Sequence, residues 1–257
     1  MKKAILKAVV WILMLLCFCG VSFPHFAVIL PSDDIIEEKD PKTIILRLYF
    51  MHPFEQEWMN LEKPKSFFAK IGKEKMDLLK TIREIKVQGK KAWKVSFEVK
   101  RPGDHVFFFE MNPYWEEAEE KFIVHCPKVI LQAFGKEDIW EEEVGLPVEI
   151  IPLTRPYGLW VGNTFRGMVK VKGKPLPFCR VEVEYFNEGK RVKASKSPYI
   201  TQVIKTDANG VFTYSFPKAG WWGFSAITDA PYKLKKDGKE YPVELGGIMW
   251  IKVREMR

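Results

Sequence analysis

Short runs in which every second residue is apolar, each closed by Gly, Pro or Asn, constrain this chain more than any other feature. In the run from Thr43 to His52, the side chains of Ile44, Leu46, Leu48 and Phe50 share one face, and Pro53 stops the run. Period-two alternation builds one buried face on a strand and no continuous stripe on a helix. Comparable runs predict strands over residues 66–71, 92–100, 105–111, 121–133 and 148–152, then over 164–171, 178–186, 199–205, 211–216, 221–227 and 247–253. Residues 73–86 are ambiguous, because Met76, Leu79, Ile82 and Ile85 also suit one helical face. Asn209-Gly210 supplies the positive backbone angles of a tight hairpin. The expected fold is all-β: two consecutive sandwich domains, residues 25–143 and 147–257, with a short connector near residues 143–147.

Residues 1–24 have the pattern of an export signal: Lys2, Lys3 and Lys7, an apolar stretch, then Gly20 and Ser22. A cleaved signal peptide is favoured, and an uncleaved anchor is the open alternative. Either way the expected compartment is periplasmic or otherwise extracytoplasmic. Membrane contact would come through a partner or through the uncleaved leader. Cys17 and Cys19 lack the small preceding residue of a lipidation site.

The formal charge of +8 less the three leader lysines leaves +5. Charges of both signs alternate along the strands, and no basic block suits nucleic acid. A Gly-rich loop ending in Gly-Lys-Ser/Thr, a Gly-x-Ser-x-Gly elbow, a His-Glu-x-x-His pair and a Cys-x-x-Cys knuckle are all missing, so no enzyme activity is expected. Beyond the leader only Cys126 and Cys179 remain, which read as two isolated buried thiols rather than a disulfide framework.

All four histidines, His25, His52, His105 and His125, lie in the first half. His52 ends an apolar strand face with Glu55 just beyond it, His25 opens the first strand, and His125 follows a carboxylate-rich stretch. Three imidazoles with a carboxylate suit nickel, cobalt, copper or zinc, and the candidate metal set is His25, His52, His125 and Glu55. His105 follows a Pro-Gly-Asp turn and is expected to be solvated. The run Glu116-Glu117-Ala118-Glu119-Glu120 and the run Glu141-Glu142-Glu143 are likewise expected to face water. Of Trp221 and Trp222, adjacent on a strand, only one can be fully buried.

Gly167-Met168-Val169-Lys170-Val171, Gly173-Lys174-Pro175-Leu176, Val181-Glu182-Val183, Thr206-Asp207-Ala208-Asn209-Gly210 and Ala219-Gly220-Trp221-Trp222 resemble the transthyretin-like or carboxypeptidase-regulatory-like sandwich. That resemblance implies an Ig-like fold and no activity. Over a longer span, His25-Phe26-Ala27-Val28, Leu30-Pro31-Ser32, His52-Pro53-Phe54-Glu55, Arg101-Pro102-Gly103-Asp104, Pro113-Tyr114-Trp115-Glu116, Phe122-Ile123-Val124-His125, Glu149-Ile150-Ile151-Pro152-Leu153-Thr154 and Lys218-Ala219-Gly220-Trp221-Trp222-Gly223 resemble a family of domain-of-unknown-function proteins. Its members are described as periplasmic components of cobalt or nickel transport systems, often of the energy-coupling-factor type.

The resemblance implies nickel or cobalt as a transported ion and a membrane metal-uptake transporter as partner. One departure is Pro24, which stands where members often carry a small residue before the first histidine. A cut after Ser22 leaves Phe23-Pro24-His25 at the start, and Pro24 has no N–H to complete an amino-terminal chelate. The rival expectation is an extracytoplasmic interaction module that binds protein or glycan without metal. Deleting residues 2–22 is expected to trap the protein in the cytoplasm, which cell fractionation checks; periplasmic recovery of that variant would contradict the leader assignment.

Overall fold

A computed structural model describes residues 24–256, so the leader, apart from Pro24, lies outside the described residues. The regular structure of the described residues is nearly all β, with 58% in strands and 3% in short helical turns. Its first half runs through β1 (Phe26–Pro31), β2 (Ile35–Ile36), β3 (Thr43–His52), β4 (Glu57–Met59), β5 (Ser66–Ile71), β6 (Glu74–Asp77), β7 (Arg83–Val87), β8 (Lys90–Glu98), β9 (Gly103–Glu110), β10 (Tyr114–Glu116) and β11 (Lys121–Ala133). The second half continues with β12 (Val148–Pro152), β13 (Leu159–Trp160), β14 (Thr164–Val171), β15 (Lys174–Pro175), β16 (Arg180–Tyr185), β17 (Gln202–Lys205), β18 (Val211–Ser215), β19 (Gly220–Lys236) and β20 (Lys239–Arg254). The ambiguous stretch from residue 73 to 86 is strand, turn and strand, with Met76 on β6, Leu78, Leu79 and Ile82 between the strands, and Ile85 on β7 packing against the first core.

Three sheets form three layers. One outer sheet has the order β1-β3-β8-β7 with β4 beside β3, and the other outer sheet has β12-β14-β15 with β18 beside β14. Between them lies an eleven-stranded sheet along the path β17-β16-β19-β20-β11-β9-β5-β6. This middle sheet is apolar on both faces. In β9, Phe107 and Phe109 enter the core under the first outer sheet, whereas Val106 and Phe108 enter the core under the second. In β11, Val129 and Leu131 face one way, Val124, Cys126 and Ile130 the other. A strand covered on both sides loses the polar half of its alternation, and β11 is accordingly buried continuously from Ile123 to Ala133.

The expected sandwich class is present, but its two halves share a sheet. The join is the parallel pairing of β11 with β20 over Phe122↔Val243 to Val129↔Trp250. Gly246 and Gly247 permit it. A Cβ on Gly246 would lie 2.4 Å from Cδ2 of His125, and one on Gly247 would lie 3.0 Å from the backbone of Val148. The connector is equally tied down. Lys128 of β11 and Glu149 of β12 form a buried ion pair at 2.6 Å, with side chains 1% and 3% exposed. Glu149 also accepts the N–H groups of Val144 and Gly145. Glu142 pairs with Lys70 of the first half and Glu143 with Lys170 of the second, so these two carboxylates are not merely solvated.

Cooperativity follows from the shared layer. A fragment of residues 24–145 would expose Val124, Cys126 and Ile130 to water and is expected not to fold alone, whereas the full chain is expected to melt in one transition. Lys128→Met should lower that transition by about 3 kcal/mol, because it strands a buried carboxylate. Calorimetry checks both; two separate melting transitions would contradict the shared core.

Candidate functional site

Strand pairing itself brings the first two histidines together. β1 runs antiparallel to β3 with Phe26 opposite Met51, and the next pair outward is His25 with His52. Their ring centroids are 4.7 Å apart. Phe50 stacks on His25 at 5.5 Å, and Tyr114 of β10 approaches from the side at 5.8 Å. β10 also delivers Glu116, whose Oε2 lies 3.0 Å from Nε2 of His25. Glu116 therefore belongs to the site rather than to a solvated run. The signal for it was its place directly after Tyr114-Trp115.

Nε2 of His25 lies 3.0 Å from a carboxylate oxygen of Glu116. Nδ1–H of His52 donates to the carbonyl of Pro24 at 3.0 Å, which leaves the lone pair on Nε2. An imidazole oriented by an oxygen acceptor on one nitrogen is the arrangement found in metal-binding histidines. Burial, followed by the neighbouring His52, lowers the pKa of His25 to about 4, so the ring is neutral at pH 7.

His125 lies beneath this pair, its ring 5.9 Å from that of Phe50 and its side chain 1% exposed. It has a different task. Ala27 on β1 turns its N–H and C=O toward the middle sheet. Its N–H donates to Nδ1 of His125 at 3.3 Å, and its carbonyl accepts from Nε1 of Trp250 at 3.0 Å. The His125 lone pair is spent on a backbone amide, and its remaining nitrogen carries the proton. A neutral ring in that state has no lone pair for a metal, so His125 is a cap on an edge strand rather than a ligand.

Glu55 departs from the expected set as well. Its carboxylate acts on Glu184, which is buried, accepts from Phe54 N–H and Thr201 Oγ1, and has its pKa raised to about 8 chiefly by burial. Among the described residues no group of three or more His, Cys, Asp or Glu side chains is placed to hold a metal ion, so the four expected ligands do not form a coordination sphere. His105 is buried completely, against the expectation of a solvated ring. Trp222 is buried and Trp221 half-buried, and Cys126 and Cys179 are separate buried thiols, as expected.

Beside His25 opens a pocket of about 290 Å³ lined by Glu119, Lys121, Arg180, Glu182 and Glu244. Lys121 Nζ bridges Glu119 and Glu244, the latter at 2.6 Å. Glu182 and Glu184 escaped the sequence reading because Val181-Glu182-Val183-Glu184 alternates like a strand with one wet face. Here that face is covered, and Glu184 reaches the backbone of Phe54 in the first half.

The family model described as Domain of unknown function (DUF4198) matches residues 22–230. The chain belongs to this family. No curated protein matches its sequence. Among solved structures, dimeric latent PorU from Porphyromonas gingivalis is similar at 11% identity and TM-score 0.25, covering 90% of this chain and 20% of that one. The adhesin InvE of Yersinia pseudotuberculosis is similar at 10% identity and TM-score 0.23, covering 86% and 58%. A putative carbohydrate binding protein from Bacteroides uniformis is similar at 11% identity and TM-score 0.25, covering 85% and 96%. This chain thus spans about a fifth of the first of these proteins and under two thirds of the second.

Acid should loosen the fold through His125. Burial, then His25 and Lys121, lower its folded pKa to about 3, against about 6.5 when unfolded. Between those values the unfolded chain binds the extra proton, so the stabilisation is complete above about pH 6.5 and is lost as pH falls toward 3. His125→Asn keeps an acceptor for Ala27 N–H and is expected to flatten this slope between pH 6.5 and 4. Denaturant melts of both proteins across that range provide the check; identical slopes would show that His125 does not carry the effect.

Proposed function

We propose that this DUF4198 protein is an exported, non-catalytic accessory of transition-metal uptake that carries nickel or cobalt at the His25–His52 pair and presents it to a membrane transporter. The single observation that carries the reading is the pair itself: two imidazoles 4.7 Å apart across β1 and β3, with the Glu116 carboxylate 3.0 Å from one and the Pro24 carbonyl 3.0 Å from the other. The metal theme comes from the family resemblance of the sequence, and the burial-lowered pKa of His25 keeps that ring deprotonated and ready to bind.

Two protein ligands leave most of a divalent ion's coordination positions to water. For a carrier this is an advantage, since a receiving protein can add its own ligands before the first two let go. Glu116 acts as the orienting partner of His25. The carboxylates Glu119 and Glu244 at the adjacent pocket hold negative charge near the site, partly offset by Lys121.

Calorimetric titration of the full chain with nickel or cobalt at pH 7.5 tests this. Binding to the wild type is expected, with at least a tenfold loss of affinity in His52→Ala and in His25→Ala and little change in His125→Asn. Equal affinity in the wild type and His52→Ala removes the metal reading. It leaves the second, binding of protein or glycan, which is favoured by the open groove around Trp58 lined by Gln56, Gln88, Glu188 and Lys190.

A further inference from the structure

Where β16, β19 and β20 lie side by side in the middle sheet, a pocket of about 260 Å³ opens to solvent at one end of the strands. Arg191, Lys218 and Lys252 line it against a single carboxylate, Glu188, so positive charge is in excess there. None of the three cations has an ion-pair partner among the described residues. Asp33 and Asp34, whose charges reach Lys252, are both held by Arg254. Trp221, Phe186 and Tyr185 supply the aromatic part of the wall. Arg191 and Lys218 are exposed, and Trp221, Phe186 and Lys252 are half-buried, so a ligand can reach these groups from water.

The three cations stand on backbone that is tied down. Just beyond β16 the buried side chain of Asn187 accepts from Val192 N–H at 2.8 Å and donates to the carbonyls of Val192 at 2.9 Å and Phe54 at 3.0 Å, which fixes the loop that carries Arg191. The carbonyl of Lys218 accepts from Nε1 of Trp222 at 2.9 Å, and the Tyr185 hydroxyl donates to the carbonyl of Ala219 at 3.1 Å. Gly220 makes room for that tyrosine, since a Cβ there would lie 2.5 Å from its ring. Lys252 stands opposite Trp221 across the β19–β20 pair, with Nζ 5.1 Å from the centre of the indole ring. Burial lowers the pKa of this ammonium, a cost that an anion placed beside it offsets.

We propose that this pocket binds a small organic anion, one carboxylate on a single flat ring, with the carboxylate among Arg191, Lys218 and Lys252 and the ring against Trp221 and Phe186. A guanidinium offers a carboxylate two parallel N–H donors, and the lysines add point charges. The volume is at the small end of ligand sites and admits one ring. Glu188 in the wall disfavours a second negative charge on the ligand. The site goes beyond the metal reading and stands apart from it, because it shares no lining residue with the pocket beside His25.

Benzoate and benzamide, which match in shape and differ in charge, are the probes, titrated into the full metal-free chain by nuclear magnetic resonance with inorganic phosphate as a third. Benzoate is expected to bind about tenfold more tightly than benzamide at low salt and to lose that preference at high salt. Arg191→Gln and Lys218→Gln alter exposed residues, so folding is not at stake, and each is expected to weaken benzoate while benzamide stays unchanged. Glu188→Gln removes the opposing charge and is expected to tighten benzoate. Equal binding of benzoate and benzamide by the wild type, binding of neither, phosphate binding as tight as that of benzoate, benzoate affinity unmoved by Arg191→Gln and Lys218→Gln together, or no gain in Glu188→Gln overturns the proposal.

Discussion

The parallel pairing of β11 with β20 is the contact on which the rest of the architecture depends. Without it each half would own an outer sheet and a partial inner sheet, and one face of β9 and β11 would lie bare. With it, the hydrophobic effect acts on both faces of one layer, and two sandwiches become three stacked sheets. Adjacent parallel strands need a long crossover, and here the connection from β11 to β20 runs through nearly the whole second half. That explains why the connector is fastened with a buried Lys128–Glu149 pair, since its position fixes where β12 meets β20.

The same layer decides the fate of the first strand. β1 is the edge of its sheet, and an edge strand buried inside a protein has polar backbone groups to satisfy. The middle sheet answers with side chains: His125 accepts from Ala27 N–H and Trp250 donates to its carbonyl. Gly246 is the space this requires, because any Cβ there would run into the His125 ring. The consequence reaches the surface. Anchoring Ala27 fixes β1 against β3, and that register stands His25 across from His52.

Two histidines of similar sequence context therefore have opposite chemistry. His52 donates through one nitrogen and keeps a lone pair on the other, whereas His125 gives its lone pair to an amide. The difference lies in the sign of the partner, an acceptor in one case and a donor in the other, and it separates a candidate ligand from a structural cap. His105 follows the first pattern, donating through Nδ1 to the Gly103 carbonyl and keeping its lone pair on a buried Nε2.

Period-two alternation in the sequence determined the all-β class and most strand positions. The runs over residues 66–71, 121–133, 148–152 and 164–171 coincide with β5, β11, β12 and β14, because each strand must choose which side chains leave water. The early histidines and the family motifs pointed to the first strand as the place to look. Tertiary structure alone decided that β11 and β20 are neighbours, that Glu182 and Glu184 lie on a covered face, and that Glu116 rather than Glu55 reaches His25. A sequence records which residues prefer burial, but the partner that buries them, and with it the donor or acceptor each imidazole meets, comes from pairings between strands far apart in the chain.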